Sequence, residues 1–240
     1  MRLCKKLRNY GAPRLRHELG KRGIHCSKNT VAKVIRYAGL NVIAPKRFRV
    51  TTDSNHSFPL APNRLNQCFT TEKINSVWLT DITYMPLRDG FAYLCCVEDL
   101  HSRRIVGWSI AQNMESSLVL KALNQAIALR SPGKGLIVHS DRGAQFASQA
   151  YRSRLHDCGF LQSMSRKGNC YDNAPMESFF RSLKVEYAQY EPCSTVEQVT
   201  RLTAEYIDRF YNPERLHSAL NYVSPIEYEK SQTKPLENCV

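Results

Sequence analysis

No apolar stretch of this 240-residue chain is long enough to span a bilayer. The best candidate, "FAYLCCV", stops at Glu98. The opening residues, "MRLCKKLRNY", are basic with no apolar core behind them, so they do not read as a secretory signal. The nine cysteines include no CxxC spacing, which argues against a zinc site, and their odd number argues against a disulfide framework. They read as reduced thiols of a cytoplasmic protein with no membrane partner. No internal repeat or low-complexity tract is present. Acids are almost missing from the first fifty residues, where Glu18 stands alone against 14 of the 34 Lys and Arg. The other 190 residues balance 20 bases against 20 acids, so the whole net charge of +13 sits in that one segment. A concentrated positive block is the footprint of a polyanion binder. A solvated basic tail is the alternative.

What is present argues against a tail. "GAPRLRHELGKRGIHCSKNTVAKVIRYAGL" reads as helix, turn, helix. Pro13 suits a first helical turn, Leu15 and Leu19 share a face, and Gly20 and Gly23 end the helix. Ser27 is then the N-cap of a second helix with an apolar stripe of Val31, Val34, Ile35 and Ala38. Its opposite face carries Lys28, Asn29, Lys33 and Arg36, as a DNA-reading helix would. Any amphipathic surface helix can look alike.

Three segments follow from the pattern: a small all-α unit over 1–44, a linker over 45–75 without apolar period, and a second domain over 76–240. In the last, "VWLTDITYMPL" and "FAYLCCVEDL" are strands joined by a hairpin at "RDG", and "RRIVGWSIA" is a third. A helix over 115–129 precedes the buried strand "GLIVHSD". "QFASQAYRSRLHDCGF" is helical, "LQSMS" is a short fifth strand, and a helix runs from about Pro175 to Tyr187. This order predicts an α/β fold, a mixed five-stranded sheet with helices on both faces.

Asp81 lies within the first strand, Asp141 at the C-terminal end of the fourth, and Glu177 at the start of the last of these helices. If the two strands are neighbours, the three acids share a site, where mutual repulsion raises their pKa values. A pair of oxygen-ligated divalent cations, Mg²⁺ or Mn²⁺, removes that penalty. Alternatively, Asp141 caps a helix, Asp81 makes a surface bridge and Glu177 favours a helix N-terminus. Spacing leaves both readings open.

"WLTDITY", "HSDRGAQF" and "SRKGNCYDNAPMESFFRSLKVE", taken in order, resemble the OrfB-type transposases of bacterial insertion sequences, relatives of retroviral integrases. "YGAPRLRHELGKRGI" and "YNPERLHSALNYVSPIEY" resemble that family's helix-turn-helix and C-terminal segments, so the likeness runs from Tyr10 to Tyr228. It implies a ribonuclease H-like core with a C-terminal helical extension. It puts a DDE triad on Asp81, Asp141 and Glu177, the last two with 35 residues between them. It further implies two Mg²⁺ (or Mn²⁺) ions held by the triad, with water and then a 3′ hydroxyl attacking phosphodiesters in line. Duplex DNA would be the partner, as element ends and as target, with a homo-oligomer assembled on it in the bacterial cytoplasm. A nuclease that cuts without joining, or a regulator with a dead second domain, are the rival readings.

Arg181 and Lys184 lie four and seven residues after Glu177, and basic residues on this helix touch the DNA end in related integrases. Both are candidate phosphate contacts, with a solvated helix face as the alternative. Asp172 and Asn173 are assigned to shaping the loop ahead of the helix, or else to touching substrate. His139 either orients a metal-bound water or is a hydrogen-bonded structural histidine. Cys170 has no general base beside it in sequence and is a bystander. One departure stands out: the family carries several tens of residues before "YGAPRL", whereas nine precede Tyr10 here. Either the chain is a shortened copy or an upstream frame supplies a partner protein.

Overall fold

The structure, a computed structural model, describes residues 10–39, 56–187 and 193–233. Part of the expected linker, residues 45–55, lies outside the described residues. Among the described residues no helix is long and apolar enough to cross a membrane.

The amino-terminal unit consists of α1 (Ala12–Gly20) and α2 (Lys28–Tyr37). Pro13 sits in the first turn of α1, where its missing N–H costs no helical bond. Ser27 caps α2, its hydroxyl accepting from the Thr30 amide at 3.0 Å. The stripe on α2 is narrower than its spacing predicted. Val31 is buried with Tyr10, Leu15 and Leu216, and Ile35 packs against them, but Val34 is 45% exposed. The contacting surface follows the i, i+4 row through Val31 and Ile35, which turns Val34 to solvent.

The core sheet has the order β3-β2-β1-β4-β5. Strands β1 (Val77–Leu87), β2 (Gly90–Asp99) and β3 (Ile105–Ala111) form an antiparallel meander. Helix α3 (Ser116–Arg130) crosses over to β4 (Ile137–Ser140), which pairs parallel to β1. Helices α4 (Ala144–Ala147) and α5 (Gln149–Asp157) lead to β5 (Leu161–Met164), parallel to β4. The single helix expected here is divided at Ser148, whose extended backbone and side-chain oxygen cap the second piece. A 3₁₀ turn, Cys170–Asn173, enters α6 (Ala174–Tyr187).

Alternation along the strands sorts the core into two layers. One face, with Trp78, Cys95, Val97 and Val138, is covered by α3, α4 and α5. Gly107 permits the close approach of α3, since a Cβ there would lie 2.2 Å from the Ala122 carbonyl oxygen. The other face, with Leu79, Leu94 and Cys96, packs under Met176, Phe179, Phe180 and Leu183 of α6. It is completed by α7 (Val196–Ala204) and a π-type turn, Glu205–Tyr211. Past that turn, Asn212 completes the edge of β3, accepting from the Ile105 amide at 3.0 Å and donating to its carbonyl at 2.9 Å. Helix α8 (Pro225–Thr233) is anchored by Glu229, which pairs with Arg104 and Arg130.

The chain from His56 to Gln67, expected to be a plain linker, lies against the core at the β5 edge. Met164 donates its amide to the Pro62 carbonyl at 3.4 Å, and the Arg64 amide bonds the Ser163 hydroxyl at 2.9 Å. The amino-terminal unit is also docked. Tyr10 accepts from the Leu216 amide at 3.0 Å, His17 stacks on Tyr222 and Lys21 pairs with Glu227.

Candidate active site

The site grows out of two parallel strands. β1 and β4 pair with Leu79 opposite His139. Two residues further along, on the same face, come Asp81 in β1 and Asp141 just past the end of β4. Period-two alternation therefore directs both carboxylates to the α6 side of the sheet. The Ile82 amide bonds Asp81 Oδ1 at 2.8 Å, and the Gly143 amide bonds Asp141 Oδ1 at 2.9 Å, so each acid has one oxygen fixed by backbone.

Glu177 occupies the first turn of α6. Met176, Phe179, Phe180 and Leu183 drive one face of that helix into the core, leaving Glu177, Arg181 and Lys184 along a neighbouring row. Glu177 and Lys184 are half-buried and Arg181 is exposed.

Electrostatics couple these groups. Burial raises the pKa of Asp81 well above the usual carboxylate range, and the charge of Asp141 adds to it. Glu177 pushes the same way, while the Ile82 amide and the Lys184 ammonium oppose. Burial also raises Glu177. Lys184 is lowered by burial, against the pull of Asp81. The Lys184 ammonium and the Asp81 carboxylate therefore each favour the other's charged form. Among the described residues no three His, Cys, Asp or Glu side chains gather closely enough to hold a metal ion as they stand. The donor chemistry is oxygen-only and anionic, which fits Mg²⁺ or Mn²⁺ and not a soft metal.

His139 is fully buried, with Nδ1 on the Ser163 hydroxyl at 2.8 Å and Nε2 on the Ser165 hydroxyl at 3.1 Å. Burial lowers its pKa to about 4. Both nitrogens are engaged, as in the structural reading of this residue. Asp172 is buried too, and it organises the loop before α6. It accepts from Arg166 Nη2 (2.6 Å), Nε (3.0 Å) and backbone amide (2.8 Å), from Asn63 (3.0 Å) and from Gln67 (2.9 Å). The Arg166 hydrogen bonds hold its carboxyl well below the usual range. Asn173 donates to the Thr80 carbonyl at 3.3 Å, beside Asp81, and its own carbonyl oxygen is buried without a hydrogen-bond partner.

The partners Asn63, Gln67 and Arg166 were not singled out by the sequence; only the basic character of "SRKG" hinted at Arg166. A second missed cluster lies at the far end of α6. Glu186 is bonded by Arg215 through Nη2 at 2.8 Å and Nε at 3.0 Å, and by the Tyr206 hydroxyl at 2.7 Å. The candidate DNA-reading residues Lys28, Asn29, Lys33 and Arg36 are all exposed on α2, away from these acids in sequence and unencumbered by the docking contacts of α1.

A mixed five-stranded sheet of this order, with helices on both faces, is a ribonuclease H-like integrase-core fold. The sequence accordingly matches the integrase core domain over residues 71–170 and a second integrase core domain family over 159–225, with an HTH-like domain over 1–48. It is 40% identical to the transposase for insertion sequence element IS904 of Lactococcus lactis, over 92% of this chain and 87% of that protein. It is likewise 40% identical to transposase InsF for insertion sequence IS3A of Escherichia coli, over 92% of this chain and 76% of that protein. The simian T-cell lymphotropic virus intasome aligns with a TM-score of 0.57 at 14% identity, over 94% of this chain and 73% of that one. The HTLV-2 integrase catalytic core domain in complex with magnesium aligns at 0.50 and 16% identity, over 65% and 96%. The chain belongs to the IS3-type family of insertion-sequence transposases, polynucleotidyl-transferase enzymes built on an integrase core.

Proposed function

We propose that this chain cleaves and rejoins DNA strands at the ends of its insertion element through Asp81, Asp141 and Glu177. The observation that supports this reading is the parallel pairing of β1 with β4, whose last paired residues, Leu79 and His139, each lie two residues before Asp81 and Asp141, with Glu177 in the first turn of α6. Asp81, Asp141 and Glu177 would hold Mg²⁺, or Mn²⁺, as a two-ion site. When bound, the metal supplies charge neutralisation and Lewis-acid polarisation at the phosphodiester. Lys184 offsets part of the carboxylate charge and lies where a DNA phosphate would approach. Arg181, exposed one turn earlier, is a second phosphate contact. Asp172 and Asn173 hold the entry to α6 in place, and His139 supports β4 as a neutral hydrogen-bonding residue. With no protein nucleophile required, the attacking groups are water and then a DNA 3′ hydroxyl.

The exposed row Lys28, Asn29, Lys33 and Arg36 reads the element end, and the +13 surplus concentrated in the first fifty residues supplies the salt-sensitive affinity. Recombination joins two ends to one target, so the working form is a homo-oligomer on DNA in the bacterial cytoplasm. The test is a strand-cleavage and joining assay on labelled element ends, with Mg²⁺, Mn²⁺ or chelator. Metal-dependent cleavage followed by joining is expected. Cleavage without joining under every condition would favour the nuclease reading, and neither reaction with intact DNA binding would favour a regulator.

A further inference from the structure

The segment ahead of the core does more than connect. Asn66 and Gln67 both adopt left-handed backbone conformations, with φ of 46° and 62°. Asn adopts this region readily, but Gln67 rarely does, and such strain persists only where surrounding contacts over-determine it. Here those contacts are specific. Asn63 Oδ1 accepts from the amides of Leu65 (3.0 Å) and Asn66 (2.9 Å), tying the turn to itself. The same side chain sends its Nδ2 to Asp172 at 3.0 Å, and the strained Gln67 delivers its Nε2 to the other oxygen at 2.9 Å. Asp172 is fully buried, so each lost donor weakens the hydrogen bonding of a buried anion and leaves Arg166 as that oxygen's remaining partner. The neighbouring Asn173 carries the contact on to the Thr80 carbonyl, one residue from Asp81, and α6 with Glu177 begins at the next residue. Upstream in the same segment, the His56 ring lies 2.7 Å from the carbonyl of Arg142, which follows Asp141.

We infer that Asn63 and Gln67 are positioning residues of the DNA-cutting site: the strained turn they form braces Asp172 and thereby sets Glu177 against Asp81. This inference rests on the catalytic reading of the three carboxylates. Neither residue touches the reacting atoms; both act through Asp172.

The test uses the full chain. Asn63→Asp keeps the oxygen that ties the turn but replaces the donor to Asp172 with a like charge. Gln67→Glu does the same from the other side, Gln67→Met removes the donor at similar size, and Gln67→Lys returns a donor. Three quantities are measured for each: single-turnover cleavage across a DNA titration, thermal unfolding, and hydrogen exchange of amides 166–173. Asn63→Asp, Gln67→Glu and Gln67→Met should lower the saturated rate by between about tenfold and a hundredfold, the scale of a small misplacement of reacting groups. Half-saturating DNA should stay within about twofold, and faster exchange should be confined to 166–173. Gln67→Lys should recover most of the rate lost in Gln67→Met. An unchanged saturated rate, a change in half-saturation alone, or faster exchange spread through the whole sheet would each overturn the positioning role. Glu177→Gln separates the two levels. If it cleaves at full rate the carboxylate reading falls, while exchange at 166–173 in the turn variants still decides whether the brace exists.

Discussion

Glu186→Gln tests how the catalytic helix is fastened at its far end. The substitution keeps the shape of the side chain and the acceptor for the Tyr206 hydroxyl, but it removes the charge that Arg215 grips through contacts of 2.8 and 3.0 Å. Arg215 is 2% exposed, so its guanidinium has no access to water in compensation. Breaking one side of a buried pair costs about 3–5 kcal/mol, far more than its absence from both sides would. For a chain of this length that is a fall of roughly 6–20 °C in unfolding midpoint. The neighbouring backbone also carries the Leu216 amide that bonds Tyr10, so docking of α1 should loosen with it. The control is Glu227→Gln, which breaks the Lys21–Glu227 pair, whose side chains are 44% and 48% exposed. Exposed pairs contribute at most about 1 kcal/mol. Thermal unfolding followed by circular dichroism, with protease sensitivity of residues 10–39 as a second reading, distinguishes the two. Equal small losses in both variants would refute the reasoning that the Glu186–Arg215 pair is the fastening.

Three other outcomes follow from the same contacts. Gly107→Ala puts a methyl group 2.2 Å from the Ala122 carbonyl oxygen, and should lower stability by about 1–3 kcal/mol in denaturant unfolding; an unaltered midpoint would mean α3 is not seated on β3 as described. His139 is held neutral, with its pKa lowered from 6.5 to about 4, so the unfolded chain takes up a proton that the folded chain refuses as pH falls between those values. Stability from this residue is therefore present above pH 6.5 and is lost towards pH 4, on the order of 3 kcal/mol, and His139→Gln should lack that slope in urea midpoints measured against pH. Lys33→Ala and Arg36→Ala should each reduce the log–log salt slope of binding to element-end DNA by about 0.9 if each meets one phosphate; identical slopes would remove α2 from the interface.

The strands were legible because their period-two pattern and the "RDG" turn report local backbone geometry, and the first two strands begin and end within a residue or two of their expected bounds. That Asp81 and Asp141 could meet was legible only on the condition that β1 and β4 are neighbours, a long-range fact that no local pattern contains. The brace on Asp172 was not legible for the same reason. Asn63 and Gln67 lie 109 and 105 residues away, in a stretch whose lack of apolar period is what a linker also shows. Val34 misled because helical spacing says which residues share a face but not how wide the covering surface is.

The central claim is that three carboxylates carry the chemistry, and single-turnover cleavage and joining by isosteric variants tests it most directly. Asp81→Asn, Asp141→Asn and Glu177→Gln each remove one charge at nearly constant volume. All three should abolish both cleavage and joining in Mg²⁺ while retaining native circular dichroism and affinity for element-end DNA. Asp172→Asn, which loosens the brace but keeps all three carboxylates, should slow cleavage and still leave it measurable. Full activity in any of the first three would contradict the account.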